Sequence, residues 1–444
     1  MDRPDRQRWK SRLGFILTSA GAAVGLGNLQ RFPYMTAHFG GAAFVVIYLL
    51  CVIFLATPLM LVEFAIGRHT QSNPVRAIAK IHPTGLWKWV GMLGILTAYF
   101  ILTYYLVAAS WTVNYVFEVI NHRAPLLDEV AINPWNVIIG MVIFQLLVIT
   151  IVQRGLKRGL EKCNKILMPL LFVMLLALIV RVLMLPGSWE GLVYYLKPNF
   201  SEVNHKAVLY ALGQAFFSLC IGEAVLLTYG SYASKEDNLV SSALYIALFD
   251  TAVALLSGFV LFPAIFAFQV PPDQGVGLIY NIMPNLLLQL PFGNLIGAAF
   301  FLILVFAALT TSIALLEVAV SYTVDTFKGT RKTATWCLGS LAFLLAIPSA
   351  LSKGISLPLT QLSLPFLEGT GLYEIMDFAW GGLGMVFGGL LLSIFVGWVW
   401  GTDQAIQEIR LGAPHFNTLG KSWAFIVKWF APLAIVLVLV SLFL

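Results

Sequence analysis

Charge is scarce in this sequence. Only 11% of its 444 residues are Asp, Glu, Lys or Arg, where a soluble globular domain carries about 25%. Cysteine is scarcer still. Cys51, Cys163, Cys220 and Cys337 fall in apolar runs or beside basic loops, so no disulfide framework is expected. No His or Cys cluster has metal-ligand spacing, and neither a phosphate-cradling GxxxxGK[ST] loop nor a GxSxG nucleophile elbow is present. Without a nucleophile–base pair or a metal constellation, an enzyme is not expected. Also missing is the alternation over ~10-residue strands that marks a membrane β-barrel.

Apolar residues, by contrast, make up 59% of the chain, and the mean hydropathy is +0.87. Many runs exceed the ~18 residues that a bilayer crossing requires. The expected fold is an all-α polytopic membrane protein with eleven spans: 12–36, 41–69, 88–121, 135–153, 163–185, 206–233, 238–270, 293–325, 332–350, 372–400 and 421–443. The longest must tilt, kink or project from the bilayer. Twenty basic residues, from Arg3 and Arg6 to Arg410 and Lys421, fall in loops on the N-terminal side, against Arg123, Lys197, Lys206 and Lys353 opposite. This asymmetry predicts a cytoplasmic N-terminus and, with an odd span count, an extracytoplasmic C-terminus. The net charge of +6 therefore reads as topology, with a lipid bilayer and no nucleic acid as partner. The first apolar run has no small-residue cleavage site and reads as a span rather than a signal peptide.

That first span contains GAAVGLGNLQRFPY (21–34), with Gly21, Gly25, Gly27, Asn28, Arg31 and Pro33 in or beside its middle. Glycine costs a helix about 1 kcal/mol and proline about 3 kcal/mol relative to alanine. The sixth span, QAFFSLCIGEAVLLTYGSY (214–232), carries Ser218, Cys220, Gly222 and Glu223 near its centre. Spans 1–5 and 6–10 are comparable in size, and five is odd, so any internal repeat must be inverted. Interruptions at corresponding places in two halves point to a transporter's central binding site. Broken helices expose partly positive N–H ends and partly negative carbonyls, which suit an anion and a cation side by side. Gly21-x-x-x-Gly25 also fits close helix packing, but packing alone explains neither Asn28 nor the second break.

Several motifs, in this order along nearly the whole chain, resemble the neurotransmitter:sodium symporter family of the leucine-transporter fold. They are WKSRLGFILTSAGAAVGLGNLQRFPY (9–34), FGGAAF (39–44), PLMLVEFAIGR (58–68), RGLKRGLEKCNKILMP (154–169), GQAFFSL (213–219), SGFVLFPAIFAF (257–268) and FAALTTSIALLE (306–317). The resemblance implies a single transporter domain over residues 1–444. A cytoplasmic segment (1–11) would precede repeat one (12–185) and repeat two (206–400), with an eleventh helix (421–443) following. It implies two sodium sites. The first would use the Ala23 carbonyl, Asn28, Ser218 and Asp250, completed by a substrate carboxylate. The second would use the carbonyls of Gly21, Val24 and Ala307 with the hydroxyls of Thr310 and Thr311, although such hydroxyls often bond only to the preceding helical turn.

By the same resemblance, Gly25, Leu26 and Gly27 would present N–H groups to a substrate carboxylate, joined by the Tyr105 hydroxyl. Pocket walls would come from Ile101, Ala108, Phe217, Cys220, Glu223, Thr311 and Leu315. Monoamine-handling relatives carry an aspartate where this chain has Gly25, so an amino acid is favoured over an amine. Arg31 and Asp377 would pair as an outer gate, under which Tyr105 and Phe217 form a lid. Arg6 and Asp325, supported by Trp9 and Tyr232, would close the cytoplasmic side. Each charged pair could equally be a static salt bridge. Glu63, ionisable at membrane depth, is expected to brace the break in span 6.

Two departures bear on mechanism. Asp250 stands where many relatives have asparagine, and Ala254 where chloride-dependent relatives have serine. The other chloride contacts persist as Tyr48, Gln214 and Ser218. A fixed carboxylate can do a chloride ion's electrostatic work, so chloride independence is expected, with Asp250 a candidate to carry a proton on the return step. Glu223 stands where relatives place an apolar residue against the substrate side chain. It could bind a cationic or hydrogen-bonding side chain, sit neutral in a dry pocket, or turn away to cap the broken helix. The expected function is sodium-coupled import of an amino acid, with a neutral side chain favoured, through a monomer or weak homodimer of a bacterial inner membrane. A symporter for cationic or polar amino acids is the alternative within that class. A channel would show polar faces along several spans, and a transport-dead sensor would bind without flux.

Overall fold

The computed structural model describes residues 7–269, 278–327, 329–364 and 370–441; Arg3, Arg6 and Lys328 lie outside the described residues. The described chain is helical, with an isolated bridge between Gly41 and Pro198 as its β pairing. The first span is two helices, α1 (Arg12–Ala23) and α2 (Gly27–His38), bent by 54° at the break. Then come α3 (Ala42–Thr70), α4 (Lys88–Ile120), α5 (Pro134–Val152) and α6 (Leu156–Leu183). The sixth span is again two pieces, α7 (His205–Ser218) and α8 (Val225–Gly230). The rest is α9 (Leu239–Ala267), α10 (Gly293–Phe327), α11 (Arg331–Leu351), α12 (Leu372–Arg410) and α13 (Phe416–Val440).

By length and apolarity, nine helices among the described residues can each cross a bilayer alone, and the bent first span makes ten. The pieces of span six are too short to count singly, with 14 and 6 residues. Taken as one interrupted crossing, they restore the eleven spans expected.

Polar residues start these helices by supplying the acceptors that a first turn lacks. The Ser11 side chain accepts from the Gly14 N–H, and Asn133, Asn204, Asn238 and Thr330 do the same for α5, α7, α9 and α11. In α3, Pro58 follows a wide turn at Val52–Ala56, a local rearrangement that accommodates the N–H which proline removes.

Burial sorts the helices into a centre and a rim. In α4 and α10, 78% of the apolar window is buried inside the protein, against 28% in α13. Exposed Val173, Val180, Leu433 and Leu437 leave α6 and α13 with apolar outer faces suited to lipid. At 33 and 35 residues, α4 and α10 are about 50 Å long at 1.5 Å per residue, well beyond a ~30 Å hydrocarbon core. Both broken spans pack against this central pair.

Several boundaries differ from the sequence expectation: the tenth span runs to Arg410 rather than 400, and the eleventh begins at Phe416 rather than 421. Helix α6 begins at Leu156 rather than 163, because the basic stretch KRGLEK forms a wide helical turn instead of a loop. Pro33 does not break the first span. It sits in the opening turn of the segment Phe32–His38, where proline's missing N–H costs little. The chain leaves the helix nine residues earlier, at Val24 (ψ 102°).

Candidate functional site

At the first break the backbone is held open by side chains from other helices. The Leu26 N–H donates to the Tyr105 hydroxyl at 2.9 Å, and the Gly25 N–H to Asn28 Oδ1 at 3.0 Å. Freed carbonyls collect soft partners. Ala22 O accepts from Thr311 Oγ1 (3.0 Å) and from the Cys220 thiol (3.3 Å), and Val24 O accepts from Thr311 (3.3 Å) and Thr310 (3.5 Å). Gly27 O accepts from Gln214 Nε2 at 3.0 Å. A hydroxyl can accept and donate at once, so Tyr105, while holding Leu26, keeps its own proton to give to a ligand. Space explains the glycines: a Cβ on Gly25 would lie 2.8 Å from Thr311 Oγ1 and 2.9 Å from Tyr105 Oη, and one on Gly27 would lie 2.7 Å from the Phe217 ring.

The second break is built differently. Cys220 (φ 55°), Gly222 (φ 89°) and Ala224 (φ 58°) all lie in the left-handed region, which costs non-glycine residues of order 1–3 kcal/mol each. What over-determines them is Glu63 of α3. Its two carboxylate oxygens accept from the Gly222 N–H (2.8 Å) and the Leu227 N–H (3.2 Å), capping the start of α8 as anions favour. Glu63 thus braces the break as expected, and the capping role weighed for Glu223 is already filled. Helix α12 comes so close that a Cβ on Gly222 would lie 2.6 Å from the Gly389 nitrogen.

Between the breaks lies a small cavity of about 20 Å³. Of the residues expected to hold substrate, Ala23, Gly25, Gly27, Ile101, Tyr105, Phe217, Cys220, Glu223 and Thr311 line it. Leu26, Ala108, Ser218 and Leu315 are buried nearby but are not on its wall. Leu26 still contributes through its N–H on Tyr105. Met385 of α12 completes the wall and was not expected. Its signal in the sequence is the glycine pair Gly388–Gly389, through which α12 packs onto the broken sixth span.

Part of each expected ion-site set lies together: Asn28, Ser218 and Asp250 in the first, Thr310 and Thr311 with the Val24 and Ala307 carbonyls in the second. Asn28 Nδ2 donates to Ser218 Oγ (2.9 Å) and Asp250 Oδ1 (2.7 Å), and Ser218 Oγ donates to Asp250 Oδ2 (2.7 Å). The Tyr48 hydroxyl lies 3.4 Å from both Ser218 and Asp250. In this arrangement Asn28 offers its NH₂, not its oxygen, to the carboxylate. Thr310 Oγ1 lies 3.0 Å from Ala307 O as well as near Val24 O, and a Cβ on Gly21 would sit 3.3 Å from Thr310 Cβ. Thr310 also bonds back to Phe306 O at 3.1 Å, so the helix-packing role is met by the same hydroxyl. The second set offers neutral oxygens only, a donor type that suits a hard cation.

The outer gate needs correction. Among the described residues no ion pair joins Arg31 to Asp377. The wide turn Gly27–Arg31 instead carries the Arg31 guanidinium over the Phe217 ring, 5.2 Å from its centroid, a cation–π contact. Asp377 lies beside the Tyr104 hydroxyl on the opposite wall. At the other end Arg6 lies outside the described residues, and Asp325 accepts from Asn73 at 3.2 Å. Trp9 plugs that end: its indole N–H donates to Tyr229 O at 3.0 Å, and its ring stands edge-on to Tyr229 and Tyr232. Tyr232 donates to buried Glu317 at 2.8 Å, and Glu317 pairs with Arg331. This last pair was missed, because Glu317 reads as a lone charge in an apolar run and its partner starts the next helix.

Comparison with known proteins agrees with this geometry. A model of the "Sodium:neurotransmitter symporter family" matches residues 6–137 and 126–444. The chain is 33% identical to the uncharacterized sodium-dependent transporter YhdH of Bacillus subtilis, over 98% of this chain and 97% of that one. It is 34% identical to an uncharacterized sodium-dependent transporter of Haemophilus influenzae, over 98% of each. Its fold is similar to the solved structure of MhsT in complex with L-phenylalanine, at 38% identity and a TM-score of 0.90, covering 99% of this chain and 100% of that one.

Proposed function

The chain belongs to the sodium:neurotransmitter symporter family, and from that membership we propose that it imports an amino acid together with sodium by alternating access. One observation carries the reading: residues at both helix breaks, Gly25 and Gly27 from the first and Cys220 and Glu223 from the second, line one buried cavity. The substrate's carboxylate approaches Gly25–Gly27 and takes the proton of Tyr105 as a hydrogen bond. Its ammonium group faces the carbonyls across the cavity. The phenylalanine bound to the structural neighbour supports an amino acid as the substrate class.

One sodium ion binds among Gly21, Val24, Ala307, Thr310 and Thr311, taking over carbonyls now shared with threonine hydroxyls. A second binds at Asn28, Ser218, Asp250 and the Ala23 carbonyl, beside the substrate carboxylate. For this Asn28 turns its amide over, so that oxygen rather than NH₂ faces the ion. Asp250 supplies the negative charge there, which makes the cycle independent of chloride. In the cycle the two halves (12–185 and 206–400) rock about the cavity, Trp9 and Tyr232 release the inner end, and Arg31 and Phe217 move together at the outer end. The asymmetry of the basic loops supports a cytoplasmic N-terminus.

Uptake by purified protein in proteoliposomes tests this. A panel of labelled amino acids is supplied with inward sodium, with choline replacing sodium, and with gluconate replacing chloride. Accumulation that needs sodium and ignores chloride is expected. Equal uptake in choline would refute the sodium coupling, and loss in gluconate would refute the role of Asp250. The neutral side chain expected from the sequence competes with a reading that the position of Glu223 favours.

A further inference from the structure

We propose that Glu223 is the specificity residue of the cavity, and that it selects amino acids whose side chain ends in a positive charge. The inference rests on the amino-acid reading above and adds the class of side chain.

Glu223 is only 3% exposed and lines the same cavity as Gly25, Tyr105 and Thr311. A buried carboxylate on a broken helix usually has structural work: it caps free N–H groups or pairs with a cation. Here Glu63 already caps Gly222 and Leu227, and Glu223 joins no ion pair among the described residues. The protein donor beside it is the Cys220 thiol. A thiol is a weak donor, and this one is directed at Ala22 O. The nearest candidate cation on the broken spans, Arg31, is held on Phe217. Leaving a carboxylate buried with so little compensation costs several kcal/mol, and the fold gains no cap from it.

Part of the wall suits the apolar stem of a side chain with a charged tip. Ile101, Met385 and the Phe217 ring are apolar, as a methylene stem requires. Side chains of the lysine and arginine type bury their stems against apolar surface and carry charge only at the end. An acid in an otherwise apolar specificity pocket selects basic side chains in trypsin by the same logic.

Charge balance points the same way. At mid-membrane depth uncompensated charge is expensive. Counted over the mid-membrane site, the substrate's own carboxylate and ammonium cancel, two sodium ions offset two of the three buried carboxylates Asp250, Glu63 and Glu223, and one negative charge is left over. A cationic side chain neutralises it, and an aliphatic one does not.

The test is equilibrium binding to the purified full-length chain in sodium, comparing L-lysine, L-arginine and L-ornithine with L-norleucine, L-leucine and L-phenylalanine. L-norleucine has the lysine stem without the ammonium head. Wild type is expected to bind its best cationic ligand about 100-fold or more tighter than L-norleucine, as sites built around a buried polar contact do. Glu223→Met should abolish that preference and bind L-norleucine better than wild type does, while near-isosteric Glu223→Gln should weaken cation binding at unchanged thermal stability. Tighter binding of the apolar ligands by wild type, or a cation preference that survives Glu223→Met, would overturn the inference and leave the amino-acid reading standing. Failure of every amino acid to bind would overturn both.

Discussion

The two helix breaks solve one problem in opposite ways. In the first span the freed backbone is held by neutral groups from α4, α7 and α10: a tyrosine hydroxyl, two threonines, a glutamine and a thiol. Each is a modest interaction of about 1 kcal/mol net, and each can be exchanged for a ligand. In the sixth span the freed N–H groups are locked by the carboxylate of Glu63, a charge-assisted contact roughly twice as strong, and three alternate left-handed positions, Cys220, Gly222 and Ala224, fix the chain path. The first break is therefore built to be used, and the second to stay as it is while presenting a side chain.

The largest expected effect breaks the second arrangement. Glu63→Ala leaves two buried N–H groups without an acceptor, at about 1–3 kcal/mol each, and should lower the thermal midpoint of the purified protein steeply, with no rescue by substrate. A near-wild-type midpoint would mean that the break does not depend on its cap. Gly25→Ala sharpens the contrast, because its methyl enters the space between Thr311 and Tyr105. It should keep the fold and lose most substrate binding, roughly 100-fold or more, since overpacking costs about 1–3 kcal/mol and also fills the site.

These contrasts were unevenly legible in the sequence. That spans one and six are interrupted follows from Gly25, Gly27 and Gly222 and from polar residues at mid-depth, because those types weaken helices wherever they occur. The point at which each helix stops did not follow. It depends on Tyr105, Asn28 and Glu63, whose partners lie up to 222 residues away. Met385 was missed as well: an apolar residue in an apolar span is marked only indirectly, by the glycine pair Gly388–Gly389 beside it. The pairing of Arg31 with Asp377 looked natural as opposite charges, yet a wide turn aims the guanidinium at an aromatic face instead.

Smaller effects probe the first break alone. Tyr105→Phe removes the acceptor for the Leu26 N–H and should weaken substrate binding about tenfold, in line with the ~1.4 kcal/mol that a factor of ten represents. Thr311→Ala removes one of the hydroxyls shared between Ala22 and Val24. It should raise the sodium concentration needed for half-maximal uptake about three- to tenfold, with little change at saturating sodium. An unchanged sodium dependence would leave Thr311 with a packing role only.

The central claim is that the open backbone of the first break exists to receive a carboxylate and a cation together. It is tested most directly by calorimetric titration of the purified protein with its best amino acid and with the amine that lacks only the carboxylate, each in sodium and in choline. The account predicts binding of the amino acid in sodium, none in choline, and none of the amine in either. Equal binding of amine and amino acid would contradict it, because the ligand would then be held without the group that the break is open to receive.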